Sequence, residues 1–522
     1  MFTKTRLFAV SATCAAALVL SACGGGGGGS DSSDGGAPSG DPVAGGTLRA
    51  LQLAEPPNLD PAVLTNNDHS SGLLGNALFG TLLTRDEKTG AVAQSMAESF
   101  ETADGGKTFT LVLRDGLEFS DGTPLDAEAV KFNWERLKDP ALASASRFDA
   151  SLITSATVVD ARTLEIALAQ PSPMYGAQLA QTSMNWIASP AALQKGKQGF
   201  DAEPVGAGPF TLKNWSRGGT LSVVKNAAYW DAPRPYLDGI TFSFAADEDQ
   251  RVSSIMSGGA DLSPAISWGA VAKAKSANLQ VQSMPIAGGQ VFVLNTKRAP
   301  FDDVRARQAL SHALDIGALD DAINQGEGLA ATTLFPKGSP FYNDTALQTF
   351  DKAKAQELFD ELAAEGKPVS FTFTSFPGNE STAEAVQAQL GAYKNVTVKV
   401  GQREWAETGA VFGQGDFDVT IAAVNFIDPE PDLFSFFFSK ALRNPSKIAD
   451  PELDAALLSG RTEQSTEARK AAYDTVAERL AELVPAIFYQ RSSFTTVATT
   501  KVGGITMYGA GSLIPDELWL TK

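Results

Sequence analysis

Beyond residue 45 the chain has no apolar run long enough to cross a membrane, yet helical and strand periodicities interleave over more residues than one core of about 100–200 can organise. Two or three packed lobes of mixed α/β structure are the expectation. Phe109 to Leu113 alternates apolar and polar side chains as a half-buried strand does, and Asp115-Gly116 and Asp121-Gly122 supply turns around a further short strand, Leu117 to Phe119. Asp126 can cap a helix whose inner face is Ala127, Val130, Trp134 and Leu137 and which Asp139-Pro140 ends. Asp302 or Asp303 can cap another carrying Ala306, Ala309, Leu310, Ala313 and Leu314 on one face. A helical stretch near 355–364 precedes a strand at 370–374, and 396–400 alternates again.

The first 45 residues have a different character. A cationic head (Lys4, Arg6) is followed by the apolar stretch Leu7 to Leu20 and then by Ser21-Ala22-Cys23. Small residues before a cysteine suit a leader peptidase, and the apolar stretch is shorter than the roughly 20 residues that a membrane span needs. Leu20-Ser21-Ala22-Cys23 resembles the bacterial lipobox, which implies a leader over 1–22 and a diacylated Cys23 as the mature N-terminus. Two acyl chains would hold the protein to a membrane stably. Residues 23–45 are rich in Gly, Ser, Asp and Pro, the composition of a tether whose typical span is about 25 Å. The other cysteine, Cys14, lies in the leader, so the mature chain has no thiol pair.

Charge and histidine content narrow the function classes. The net charge of −18 becomes two units more negative when Lys4 and Arg6 leave with the leader, so nucleic acid is excluded as a partner. With two histidines, His69 and His312, and no Gly-x-Ser-x-Gly elbow, there is little to build a hydrolytic triad or a nickel or zinc site from. Asp104-Gly105-Gly106-Lys107-Thr108 imitates the end of a phosphate loop, but Glu101 occupies that motif's first glycine position, and the segment reads as a hairpin turn. Neither enzyme chemistry nor a cofactor is expected. His312 is expected at the surface, and His69, after Asn66-Asn67-Asp68, in a loop that can approach a cleft.

Several ordered motifs then resemble one family. They include Pro57-Asn58-Leu59-Asp60-Pro61, Leu78-Phe79-Gly80-Thr81-Leu82, and the long stretch from Leu113-Arg114-Asp115-Gly116 to Thr123-Pro124-Leu125. Val205-Gly206-Ala207-Gly208-Pro209-Phe210, Tyr229-Trp230, and Asn295 with Pro300-Phe301-Asp302-Asp303 and Arg305 to Leu310 follow in order. Together they are similar to the extracellular solute-binding proteins of family 5, the peptide and nickel binding components of ABC importers. The resemblance implies a two-lobed periplasmic-binding-protein-like fold with a hinge and an extra domain inserted in the first lobe. By that analogy the first lobe uses residues 46–88, 204–290 and 489–522, the inserted domain 89–203, and the second large lobe 291–488. The implied function is capture of a peptide-like solute in the cleft and its delivery to a membrane permease and ATPase complex, by a monomer on the extracytoplasmic face. A ligand-sensing or surface receptor on the same scaffold is the alternative.

In peptide-binding relatives an aspartate just before a Glu-Pro or Asp-Pro pair meets the peptide amine. The local match is Asn425-Phe426-Ile427-Asp428-Pro429-Glu430-Pro431, which makes Asp428 the candidate, although it lies one residue closer to Glu430-Pro431 than in those relatives. Asn425 or Val424 stands where relatives carry Trp, and Trp405 lies where they place an aromatic cleft wall. Phe434 to Phe438 is expected in the core.

Overall fold

The structure is a computed structural model, and it describes Gly36, Pro38 and residues 40–521 except 86–90, 405–406 and 442. Cys23 and Trp405 lie outside the described residues. Three sheets organise the rest.

The largest is a seven-stranded mixed sheet in the order Gln280–Pro285, Ser493–Ala498, Leu262–Ala265, Thr47–Gln52, Gly239–Phe244, Leu221–Lys225 and Phe210–Trp215. Its strands come from three distant stretches of sequence. Thr47–Gln52 runs parallel to both of its neighbours, and the other pairings are antiparallel.

A five-stranded sheet in the order Val396–Gln402, Val369–Ser375, Val419–Phe426, Ala287–Leu294 and Ala486–Gln490 forms the second centre. Successive side chains on a strand face opposite ways, so a strand covered on both faces becomes a continuous apolar run. Ala287–Leu294 is such a strand. Val291 and Val293 pack with Leu433, Phe437, Leu457 and Tyr473 of helices on one side. Phe292 and Leu294 pack with Leu310, Phe359 and Val386 of helices on the other.

The third sheet is antiparallel, in the order Ala97–Glu101, Thr108–Leu113, Thr163–Leu168 and Ile153–Val158. The helix Ala127–Arg136 covers it, capped by Asp126, whose side chain accepts from the Ala129 amide at 2.9 Å. Ala127, Val130, Trp134 and Leu137 are all buried. Asp104 turns the hairpin by accepting from the Lys107 and Thr108 amides, at 3.0 and 2.9 Å. The strand expected at Leu117 to Phe119 is reduced to an isolated bridge between Glu118 and Pro124, because the turn between them brings the chain back on itself too soon for a ladder.

Two chain segments connect the large sheets side by side. Gln280–Pro285 pairs with Ser493–Ala498 in the first, and their continuations Ala287–Leu294 and Ala486–Gln490 pair in the second. The crossing depends on Gly288 (φ +75°), where a Cβ would lie 1.8 Å from the Val424 carbonyl oxygen. Arg491 sits buried at the same crossing, donating from Nη1 to the carbonyls of Ile286 and Gly288, at 3.4 and 3.3 Å. Its Nη2 donates to the Thr333 carbonyl at 2.5 Å.

Candidate functional site

The cleft beside this crossing contains three adjoining hollows that share Ile286 as a wall. The first, about 520 Å³, is mostly apolar, with Met284, Pro336, Ile427 and Tyr508 around the buried Arg85. The second, about 230 Å³, takes residues from all three sheet regions: Asp149 and Gln181, then Phe494, then Asn425 to Asp432. The third, about 280 Å³, is lined by His69, Trp268, Gln290, Asn425, Gln490 and Phe494 among others.

Asp428 stands at the wall of the second hollow, but its carboxylate is engaged inside the protein. Arg469 donates to both oxygens, Nη2 to Oδ1 at 2.7 Å and Nη1 to Oδ2 at 3.0 Å, and the two side chains are only 5% and 4% exposed. The Glu430 amide also donates to Oδ1, at 3.0 Å. Helix Thr466–Leu483 delivers Arg469, and its Nε is held by the Gly460 carbonyl at 3.0 Å.

Glu430, two residues on, is in the opposite condition. Its Oε1 is buried and has no hydrogen-bond partner, while Oε2 lies 3.7 Å from the Arg461 Nε. Burial pushes this carboxyl up to about 8; Arg461 pulls against that shift and the Asp428 charge adds to it. Asp149 faces the same hollow from the four-stranded region, and burial raises it too. Asn425 borders the second and third hollows, and its Oδ1 is buried without a partner. A buried acceptor or carboxyl left unmatched is costly, so these groups suit a donor brought by a ligand.

His69 reaches the third hollow, its Nδ1 at ion-pair distance, 2.8 Å, from the buried Asp68 Oδ1. His312 lies elsewhere, with its Nδ1 2.8 Å from the Thr349 carbonyl oxygen. Of the Phe434 to Phe438 cluster, Phe436 and Phe437 are buried, while Phe434 and Phe438 stack on each other at 4.3 Å in partly exposed positions. Among the described residues no three of His, Cys, Asp and Glu form a group that could hold a metal ion.

The comparisons with known proteins agree with one another. Residues 91–445 match the model of the bacterial extracellular solute-binding proteins, family 5 Middle. The chain belongs to the family 5 solute-binding proteins. A relative of this family 5 protein, the glutathione-binding protein GsiB of Escherichia coli O1:K1, is 31% identical over 348 residues, covering 65% of this chain and 67% of that one. The unliganded open form of the periplasmic murein tripeptide binding protein MppA superposes with a TM-score of 0.80 at 24% identity, over 93% of this chain and 99% of that one. The oligopeptide-binding protein AppA of Bacillus subtilis, in complex with a nonapeptide, gives 0.67 at 22% identity, over 92% and 100%. The family 5 protein therefore has the two-lobed fold of the periplasmic binding proteins.

Sequence reading brought Asp428 and Asn425 to the cleft but did not single out Glu430 or Asp149, which line the same hollow. The Glu430-Pro431 pair was the available signal for the first; nothing local marks the second.

Proposed function

We propose that this family 5 protein is the lipid-anchored, extracytoplasmic substrate-binding component of an ABC importer, and that it captures a peptide-like solute in the cleft and delivers it to the permease and ATPase. Cys23 carries the anchor, and residues 23–45 are the tether. In this reading residues 46–88, 204–290 and 489–522 form the first lobe, 89–203 the inserted domain and 291–488 the second lobe, in a monomer.

The observation that carries the reading is the buried Glu430 Oε1, without a hydrogen-bond partner, in a hollow that Asp149 also lines and to which all three regions contribute. An ammonium group there would gain a charge-assisted hydrogen bond in a dry setting. Asp428, already paired, fixes Arg469 and shapes the wall, while Asn425 offers an acceptor to a ligand N–H and Trp405 an aromatic wall. The names of the peptide and glutathione binders similar to this chain point to the same ligand class.

Native mass spectrometry of protein purified without denaturant tests this directly: masses fitting short peptides support it. In calorimetry, Glu430→Gln should weaken a free-amine peptide by about 2–5 kcal/mol and leave its N-acetylated form unchanged. Equal loss for both forms would remove Glu430 from amine recognition.

A further inference from the structure

We propose that His69, positioned by the buried Asp68, receives the carboxylate end of the solute in the third hollow, so that the cleft takes short zwitterionic peptides in one polarity, with the amine at Glu430 and the carboxylate at His69. The inference rests on the peptide reading above and specifies its ligand.

The charge pattern of the two hollows carries it. Asp149, Asp428, Glu430 and Asp432 line the second, Asp428 paired with Arg469 and Asp432 with Arg443, whereas His69 is the single titratable side chain among the described residues that line the third. The carboxyls of Glu430 and Asp149 thus mark the second hollow for an amine, while an anion meets no carboxylate on the wall of the third.

Asp68 is buried, and its contact with Nδ1 leaves Nε2 as the ring nitrogen available to a ligand. With Nδ1 against Asp68, an N–H at Nε2 is placed to donate to an incoming carboxylate. Phe494, 6.3 Å from the imidazole between ring centroids, lines both hollows and forms a wall along the path between them. Asn425 borders both as well, and its unmatched Oδ1 is placed to accept a peptide N–H between the two ends. Gln290, Gln490 and Ser493 add neutral polar groups around the carboxylate position.

Two charged groups outside this lining are held by the main chain. Glu248 Oε1 accepts from the amides of Ile266 and Ser267, and the Arg491 guanidinium is turned to main-chain carbonyls at the crossing.

The test uses two tripeptide libraries of random sequence, one with free C-termini and one C-terminally amidated, offered to the protein in equal amounts and weighed by native mass spectrometry. Wild type is expected to retain the free-acid library at least about tenfold better, the scale of one hydrogen bond to a charged group. His69→Gln should abolish that preference while still retaining peptides through the amine end. Asp68→Asn, which keeps the shape but loses the charge, should reduce the preference in the same direction. Equal retention of both libraries by wild type overturns the inference and leaves the peptide reading standing. A preference that survives in His69→Gln also overturns it. Retention of neither library overturns the peptide reading and this inference with it.

Discussion

Asp428 and Glu430 lie two positions apart on one loop, and their surroundings separate them. Asp428 and Arg469 neutralise each other at about 5% exposure, so removing one partner strands a buried charge. Arg469→Met is expected to lower unfolding free energy by about 3–5 kcal/mol in urea titration, with Asp428→Asn in the same chain recovering part of the loss. A loss below about 1 kcal/mol would mean that water reaches the pair. Glu430 has its folded pKa raised from 4.5 to about 8, so between those values the folded chain holds more protons than the unfolded one. Its contribution is present below pH 4.5 and is lost as pH rises through about 8. Asp516, pushed up to about 6, acts in the same sense, and so do the buried Asp149 and Asp68, so the Glu430 share is the difference between wild type and a Glu430 variant over pH 6–8. Stability should therefore fall less steeply across that window in Glu430→Gln than in wild type, and a slope unchanged by the substitution would contradict the buried carboxyl. Peptide binding should move the other way, tightening with rising pH as the carboxylate forms. The sequence was legible here only in part: the Asp-Pro-Glu-Pro motif located the loop, but Arg469 enters from a helix 41 residues on, and burial depends on all three regions.

At the scale of elements, local chemistry was enough where the signal is local. Asp126 caps its helix, Asp303 caps Val304–Ala313 by accepting from the Arg305 amide at 3.0 Å, and the strand expected at 370–374 runs over Val369–Ser375. Periodicity fails at Leu117 to Phe119, where turn chemistry outweighs strand propensity. It is also silent about the crossing at Gly288, because a glycine between two apolar runs does not reveal what approaches it. That approach is close enough to predict a cost. Gly288→Ala should destabilise by upward of about 2 kcal/mol, combining a left-handed backbone with a Cβ pressed against the Val424 carbonyl. Guanidinium unfolding measures it, and a change within about 0.5 kcal/mol would mean that the strand shifts freely.

For the molecule as a whole, two antiparallel crossovers between the large sheets restrict relative motion to bending about one short line. A solute touching both sides favours the closed arrangement only by its extra contacts there. Saturation with retained peptide should lower the radius of gyration measured by small-angle scattering, and an unchanged radius would mean that capture needs no closure. Strand Ser493–Ala498 has a different consequence, one of timing. It lies between Gln280–Pro285 and Leu262–Ala265, so the seven-stranded sheet has an empty slot until residues 493–498 have been made, more than 200 residues after its neighbours. Synthesis alone thus sets when the molecule can first close its largest sheet, and a chain caught earlier exposes two unpaired edges to whatever handles it.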